Sequence, residues 1–225
     1  MDVSAIRKSV GMADGCELLS CAFAFPSEGL AKGLSDGSVM EDARSCLLDA
    51  GVADGVGASA VEGLGTWAGF DAAELYAGMR RVYSLLYLKP GSDTPVFPYE
   101  SAFIHVQRGL PGAPALFRTA ITLDVERQMH EAGVAAKDER TEPCDSVFEE
   151  FEFLSYLFAR QADALQRDDR EQARDWGERA HRFAREHALA WMPAFMERTR
   201  QLAPESPYAA LAAVALALLE VLGRE

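Results

Sequence analysis

Basic residues are scarce in this chain: 22 Lys and Arg face 35 Asp and Glu, a formal net charge of −13 at pH 7. Nucleic acids are gripped by clustered Lys and Arg, so this balance argues against a nucleic-acid partner. Cysteine is also sparse, with 4 residues (Cys16, Cys21, Cys46 and Cys144), and none forms a CxxC pair. The first three fall in apolar helical patterns, where a free Cys behaves as a small hydrophobe, and such usage fits a reducing compartment. No basic segment followed by a continuous apolar stretch opens the chain, so no secretory signal is expected. The most apolar segment, Tyr208 to Leu222, falls short of the roughly 20 residues that span a bilayer. We read it as a buried terminal helix, with no stable membrane insertion and a cytoplasmic location.

Motifs for catalysis are missing as well. There is no GxSxG, and no Cys sits in a local signature with a His. Glu178-Arg-Ala-His181 is a lone ExxH, whereas a di-iron bundle needs a second one and two further carboxylates. His187 follows His181 by about 600° of helical rotation, on the opposite side, so the two cannot share a ligand set. Gly55-Val-Gly57-Ala-Ser-Ala60 imitates a dinucleotide fingerprint, but that motif requires a preceding strand and here a helical pattern precedes it. The expectation is a protein without catalytic residues, metal or cofactor.

Helical spacing dominates, and strand alternation is nearly absent. Ser4–Ala24 carries one apolar face, and Phe25-Pro26 ends it. Ser27 caps a short second helix closed by Asp36-Gly37, and Val39–Ala50 makes a third, stopped at Gly51. Residues 54–69, rich in glycine, read as a flexible inter-helix loop. Asp71–Leu88 is helical up to Lys89-Pro90-Gly91; Tyr99–Arg108 is short, and Leu116–Ala132 ends at Gly133. Asp145 is placed to cap a helix reaching about Arg167, and Asp168-Asp169 another. Ser206 with Pro207 in the first turn opens the last helix. These elements predict an all-α fold: one helical bundle over 1–225 of about nine or ten helices, with flexible loops near 51–69 and 133–143.

Three local patterns pair aromatics with polar groups at helix boundaries. Tyr83-Ser-Leu-Leu86-Tyr87 leads to Pro98-Tyr99-Glu100-Ser101; Glu142-Pro143-Cys144-Asp145-Ser146 precedes an aromatic, Glu-rich helix; and Phe183, His187 and Trp191 recur at helical spacing. In this order they resemble the TorD/DmsD/NarJ family of redox-enzyme maturation chaperones. Tyr83, Leu86 and Tyr87 match its aromatic-x-x-Leu-Phe helix end, and Pro98 to Ser101 its Pro-aromatic-(Gly/Glu)-Ser stretch. Glu142, Pro143 and Asp145 match its Glu-Pro-x-Asp-His segment, with Ser146 where the family often has His or Tyr. Phe183, His187 and Trp191 match its Phe-x-x-x-His-x-x-x-Trp run. The resemblance implies a TorD-like bundle that binds the twin-arginine signal peptide, or the apo-form, of a molybdopterin oxidoreductase before cofactor insertion and export. Tyr83, Leu86, Tyr87 and Tyr99 would anchor the leader's apolar helix, and Glu100, Glu142 and Asp145 would accept its guanidinium groups. His187 and Trp191 are expected mainly in packing, with His187 bonded to a neighbouring helix. A generic helical adaptor for another amphipathic segment shares every compositional feature, and either could be a monomer or a homodimer.

Overall fold

A computed structural model describes residues 2–90, 93–135 and 142–224. Among them the helices, in chain order, are α1 (Val3–Phe23), α2 (Glu28–Asp36), α3 (Ser38–Asp49), α4 (Asp54–Glu62), α5 (Ala72–Tyr87), α6 (Glu100–Gln107), α7 (Ala120–Glu131), α8 (Val147–Gln166), α9 (Arg170–Phe183), α10 (Leu189–Leu202) and α11 (Pro207–Leu222). No strand occurs among the described residues, and the fold is all-α. Short-range capping explains most helix starts. Asp2, Ser27, Asp71, Thr119, Ser146 and Asp169 each accept backbone N–H groups from the first turn they open.

The core is one contiguous apolar cluster built around three helices. α1 lies along α8 and α3, α8 along α9, and α11 against α10, α4 and α1. α8 contributes Phe151, Leu154, Leu157 and Phe158, and α11 contributes Leu211, Val214, Leu218 and Leu222, all buried. α11 is the apolar segment flagged in the sequence. No helix is long and apolar enough among the described residues to cross a membrane. Its hydrophobicity is spent on neighbours along its whole length.

Several local expectations require correction. The glycine-rich stretch is not a loop: it folds as α4 and a 3₁₀ turn, Gly63–Trp67, with Val61 and Leu64 buried. Its glycines permit close packing, since a Cβ on Gly63 would come within 3.1 Å of the Ala210 Cβ on α11. α7 starts at Ala120, not Leu116, because Arg118 takes a left-handed φ of 56° and Thr119 forms a reciprocal cap with Thr122. Ser206 stands at the cap of α11, but its hydroxyl donates back to the Ala203 carbonyl. Cys21 is exposed, on the outer side of α1. Of the loop expected at 133–143, residues 136–141 lie outside the described residues, and α7 has already ended at Glu131.

α9 runs into α10 through a wider π-turn, Ala184–Ala188, shortly before Pro193 inside α10. Such single turns are uncommon inside helices and recur at functional sites. Here the turn carries His187 inward, one helical step before Trp191.

α1 and α3 meet at a glycine. A Cβ on Gly11 would lie 2.3 Å from the Ala50 nitrogen, a backbone atom that cannot step aside. Gly11→Ala is therefore expected to cost about 1–3 kcal/mol of stability, measured by urea unfolding. Gly55→Ala, with nothing near its Cβ position, is the neutral comparison.

Candidate functional site

Two segments far apart in sequence are stitched together at the starts of α6 and α8. Tyr99 and Ser146 form an antiparallel bridge. The Glu100 N–H donates to the Asp145 carbonyl at 2.8 Å, and the Val147 N–H to the Pro98 carbonyl at 2.9 Å. The Asp145 carboxylate accepts the Ser101 N–H at 2.9 Å, so Asp145 caps α6 across the bridge and leaves α8 to Ser146. This corrects the local reading of Asp145. A cap needs only a carboxylate within reach of a free first-turn N–H, and tertiary structure supplied a closer one. Burial pushes the Asp145 carboxyl up to about 6, against the hydrogen bonds from Ser101 and with help from the nearby charge of Glu100.

Tyr83, Leu86 and Tyr87 face inward from α5. They are 4%, 5% and 3% exposed, so in this conformation they are core rather than groove anchors. Tyr83 packs edge-on against Tyr87 at 5.0 Å and against the exposed Phe25 at 5.5 Å. Its hydroxyl donates to the Phe23 carbonyl. Tyr87 stacks on Phe195 and shares a 2.9 Å hydrogen bond with Thr199. Together with Tyr208 these rings lock α5 to α1, α10 and α11.

Behind the bridge lies a buried polar cluster whose other members sequence reasoning missed. His187, 4% exposed, meets Glu100 through Nδ1 at 2.8 Å and Asp124 of α7 through Nε2 at 3.0 Å. Gln128 of α7 donates to Glu186 at 2.9 Å and Asp124 at 3.0 Å, and lies 3.2 Å from the His187 ring. Trp191 Nε1 donates to Glu150 at 3.1 Å. Glu150, in the Glu-rich helix α8, is fully buried, in line with Val147, Leu154 and Leu157; its helical angle is the signal available in the sequence. Its second oxygen has no donor in reach, and burial followed by the charge of Glu100 raises its pKa well above the usual carboxylate range. A protonated Glu150 satisfies both observations, because it can donate to Glu100. Burial opposes a charge on His187, but the hydrogen bonds and charges of Glu100 and Asp124 outweigh it and raise its pKa.

The surface above the bridge is acidic and apolar. Tyr99, half-buried, hydrogen-bonds through its hydroxyl with Glu142. Glu149 is pushed up to about 7 by partial burial and then by the charges of Glu152 and Glu142. Beside them a groove of about 640 Å³ is lined by Phe117, Leu123, Met129, Pro143 and Cys144. Phe117 and Leu123 are about half exposed, at 45% and 52%. The candidate residues thus divide. Glu100, Ser101, Asp145, Ser146, Pro98 and Pro143 are buried framework, whereas Tyr99 and Glu142 face outward.

The titrating groups set the pH dependence of stability. His187 has a raised folded pKa, so its contribution is complete below its unfolded value and lost as pH climbs through the folded one. Glu150, Asp145 and Glu149 are raised carboxyls, which bind protons more tightly when folded and so also lose stability as pH rises. These four act in the same sense; His181, lowered by burial and then by the charges of Lys8 and Arg185, acts in the opposite one, and on balance Tm is expected to fall between about pH 5 and pH 8. Glu150→Gln, an uncharged isostere that can still meet Trp191 and Glu100, should flatten that slope in thermal scans across the same range.

The sequence model for the nitrate reductase delta subunit matches residues 53–197, which run from the residue before α4 into α10 and include the bridge and the buried cluster. No curated protein and no solved structure matches the chain. The match covers more than half of the sequence and agrees with the all-α architecture. The chain belongs to the nitrate reductase delta subunit family, the NarJ- and TorD-type chaperones of molybdoenzyme maturation.

Proposed function

We propose that this protein is a cytoplasmic chaperone that binds the twin-arginine leader, or the apo-form, of a molybdopterin oxidoreductase before cofactor insertion and export, and catalyses no reaction itself. The observation that carries this reading is the adjacency of an acidic surface and an apolar groove at the bridge between α6 and α8. Tyr99, Glu142 and Glu149 stand on one side, and Phe117, Leu123 and Met129 line the other. A twin-arginine leader carries the complementary pair of chemistries in one short segment: guanidinium groups, then an apolar helical stretch. Guanidinium groups form charge-assisted bonds with carboxylates, and an amphipathic helix is held by an apolar groove. Partial burial and then the charges of Glu152 and Glu142 raise the Glu149 pKa to about 7, and an incoming cation would relieve the like-charge part of that shift.

In this reading the buried residues Glu100, Ser101, Asp145 and Ser146 shape the site, while Tyr99, Glu142 and Glu149 touch the ligand. The whole chain acts as one helical unit, as a monomer or a homodimer.

The test is a calorimetric titration with synthetic leaders of molybdoenzymes. One leader should bind at micromolar Kd or tighter and lose binding when its two arginines become alanine. Glu142→Gln combined with Glu149→Gln should weaken it about tenfold or more while leaving the thermal transition cooperative. Binding that survives loss of both leader arginines would favour a general adaptor for amphipathic segments. Absence of binding to every leader by the folded protein would overturn leader recognition.

A further inference from the structure

The geometry points to α7 as a hinged cover, latched on the imidazole of His187, that opens while the rest of the bundle stays folded and bares the inner wall of the groove. This opening is a property of the chain itself and holds whether or not a leader is the ligand.

α7 is fastened differently from α8. α8 buries Val147, Phe151, Phe153, Leu154, Leu157 and Phe158, whereas the large apolar side chains buried by α7 are Val125 and Met129. Its outer side exposes Leu123, and Phe117 just before it is exposed too. What fastens the inner side is mostly polar. Asp124 and Gln128 reach His187 and Glu186 on the π-turn, and Glu131 accepts from Arg182 at 3.2 Å. Arg179 donates to the Glu131 carbonyl at 2.9 Å, and Tyr156 to the Ala132 carbonyl. Segments with little buried apolar area and many polar fastenings open at lower free energy than the global transition.

Both ends of α7 carry backbone positions suited to pivoting. Gly112 and Arg118 precede it with φ of 82° and 56°, and Gly133 follows it with φ of 80°. The latch is centred on His187, which Glu100 holds from α6 in a fixed orientation while Asp124 and Gln128 hold it from α7. The remaining charged neighbours are Glu186 and Arg182 on its own continuous helix, Arg127 paired to Asp124, and Glu150 beyond Glu100. Loss of the imidazole removes the junction between the two sets of bonds, and with it one ring contact to the core, to Phe183 at 5.0 Å.

The native cysteines report on the opening. Cys144 is partly exposed where it lines the groove, and its thiol donates to the Thr122 carbonyl on α7, so lifting α7 frees the thiol and speeds its labelling. Cys16 is 0% exposed in the centre of the core and is reached only by global unfolding, while Cys21 is exposed throughout. The experiment is timed labelling of the intact protein with an aromatic disulfide, read per cysteine by mass spectrometry, alongside hydrogen exchange of α7 and α8. In His187→Gln, Cys144 should label roughly ten times faster or more, on the scale of a lost charge-assisted bond. Exchange of α7 should rise with it, while Cys16, Cys21 and α8 keep wild-type rates. Arg182→Met, a milder loss at a partly exposed position, should shift Cys144 and α7 in the same direction by less, and it keeps the test available if His187→Gln folds poorly. Equal acceleration of Cys144 and Cys16 would overturn the inference, since α7 would then leave only with the whole fold. Unchanged Cys144 labelling in both variants would overturn it too.

Discussion

A carboxyl group removed from water must find a donor, a counter-charge or a proton, and Glu100 is where the structure meets that demand. It is 2% exposed at the first turn of α6. Its backbone N–H is tied to Asp145, its side chain to His187, and burial followed by the charge of Glu100 raises the pKa of its neighbour Glu150. Through these contacts one residue couples the starts of α6 and α8 to the π-turn and, one bond further, to α7. Removing any partner would leave a polar group buried without compensation. That asymmetry makes the arrangement specific more than strongly stabilising.

The family pattern therefore has two physical layers. The aromatic rings of α5 and the stitched segments Pro98–Ser101 and Asp145–Val147 fix relative positions of helices, and they are buried because they do so. In the proposed function, the residues at the water boundary, Tyr99, Glu142 and Glu149 with the groove beside them, are where a ligand's chemistry would be read. An acidic chain suits this division. Its net charge of −13 favours encounter with a basic segment, and the local arrangement would then choose among such segments.

Much of the fold was legible because capping and amphipathic spacing act over a few residues. Ser27 and Asp169 do locally what their sequence context predicts, and the Gly37 and Gly51 stops fall where the sequence places them. Legibility failed where a partner came from far away. The glycines of residues 54–69 looked like a loop because close packing against Ala210 is invisible in local sequence. Asp145 looked like the cap of its own helix, yet it caps α6 through the N–H of Ser101, 44 residues earlier. Glu150 is an acid by type, and only its position on the apolar face of α8 hints at its burial.

The sequence by itself determined that the chain is helical, acidic and apolar at its last helix, and it carried the family's motif residues in order. All of these rest on composition and on interactions within a turn or two of helix. Only the tertiary structure decided which of those residues are framework and which face water, that Asp124, Gln128 and Glu150 join His187 and Trp191, and that α7 is fastened by polar bonds. Burial and hydrogen-bond partnership are properties of the packed chain. A charged side chain changes its meaning, from solvated surface to protonated core, only when neighbours distant in sequence remove its water.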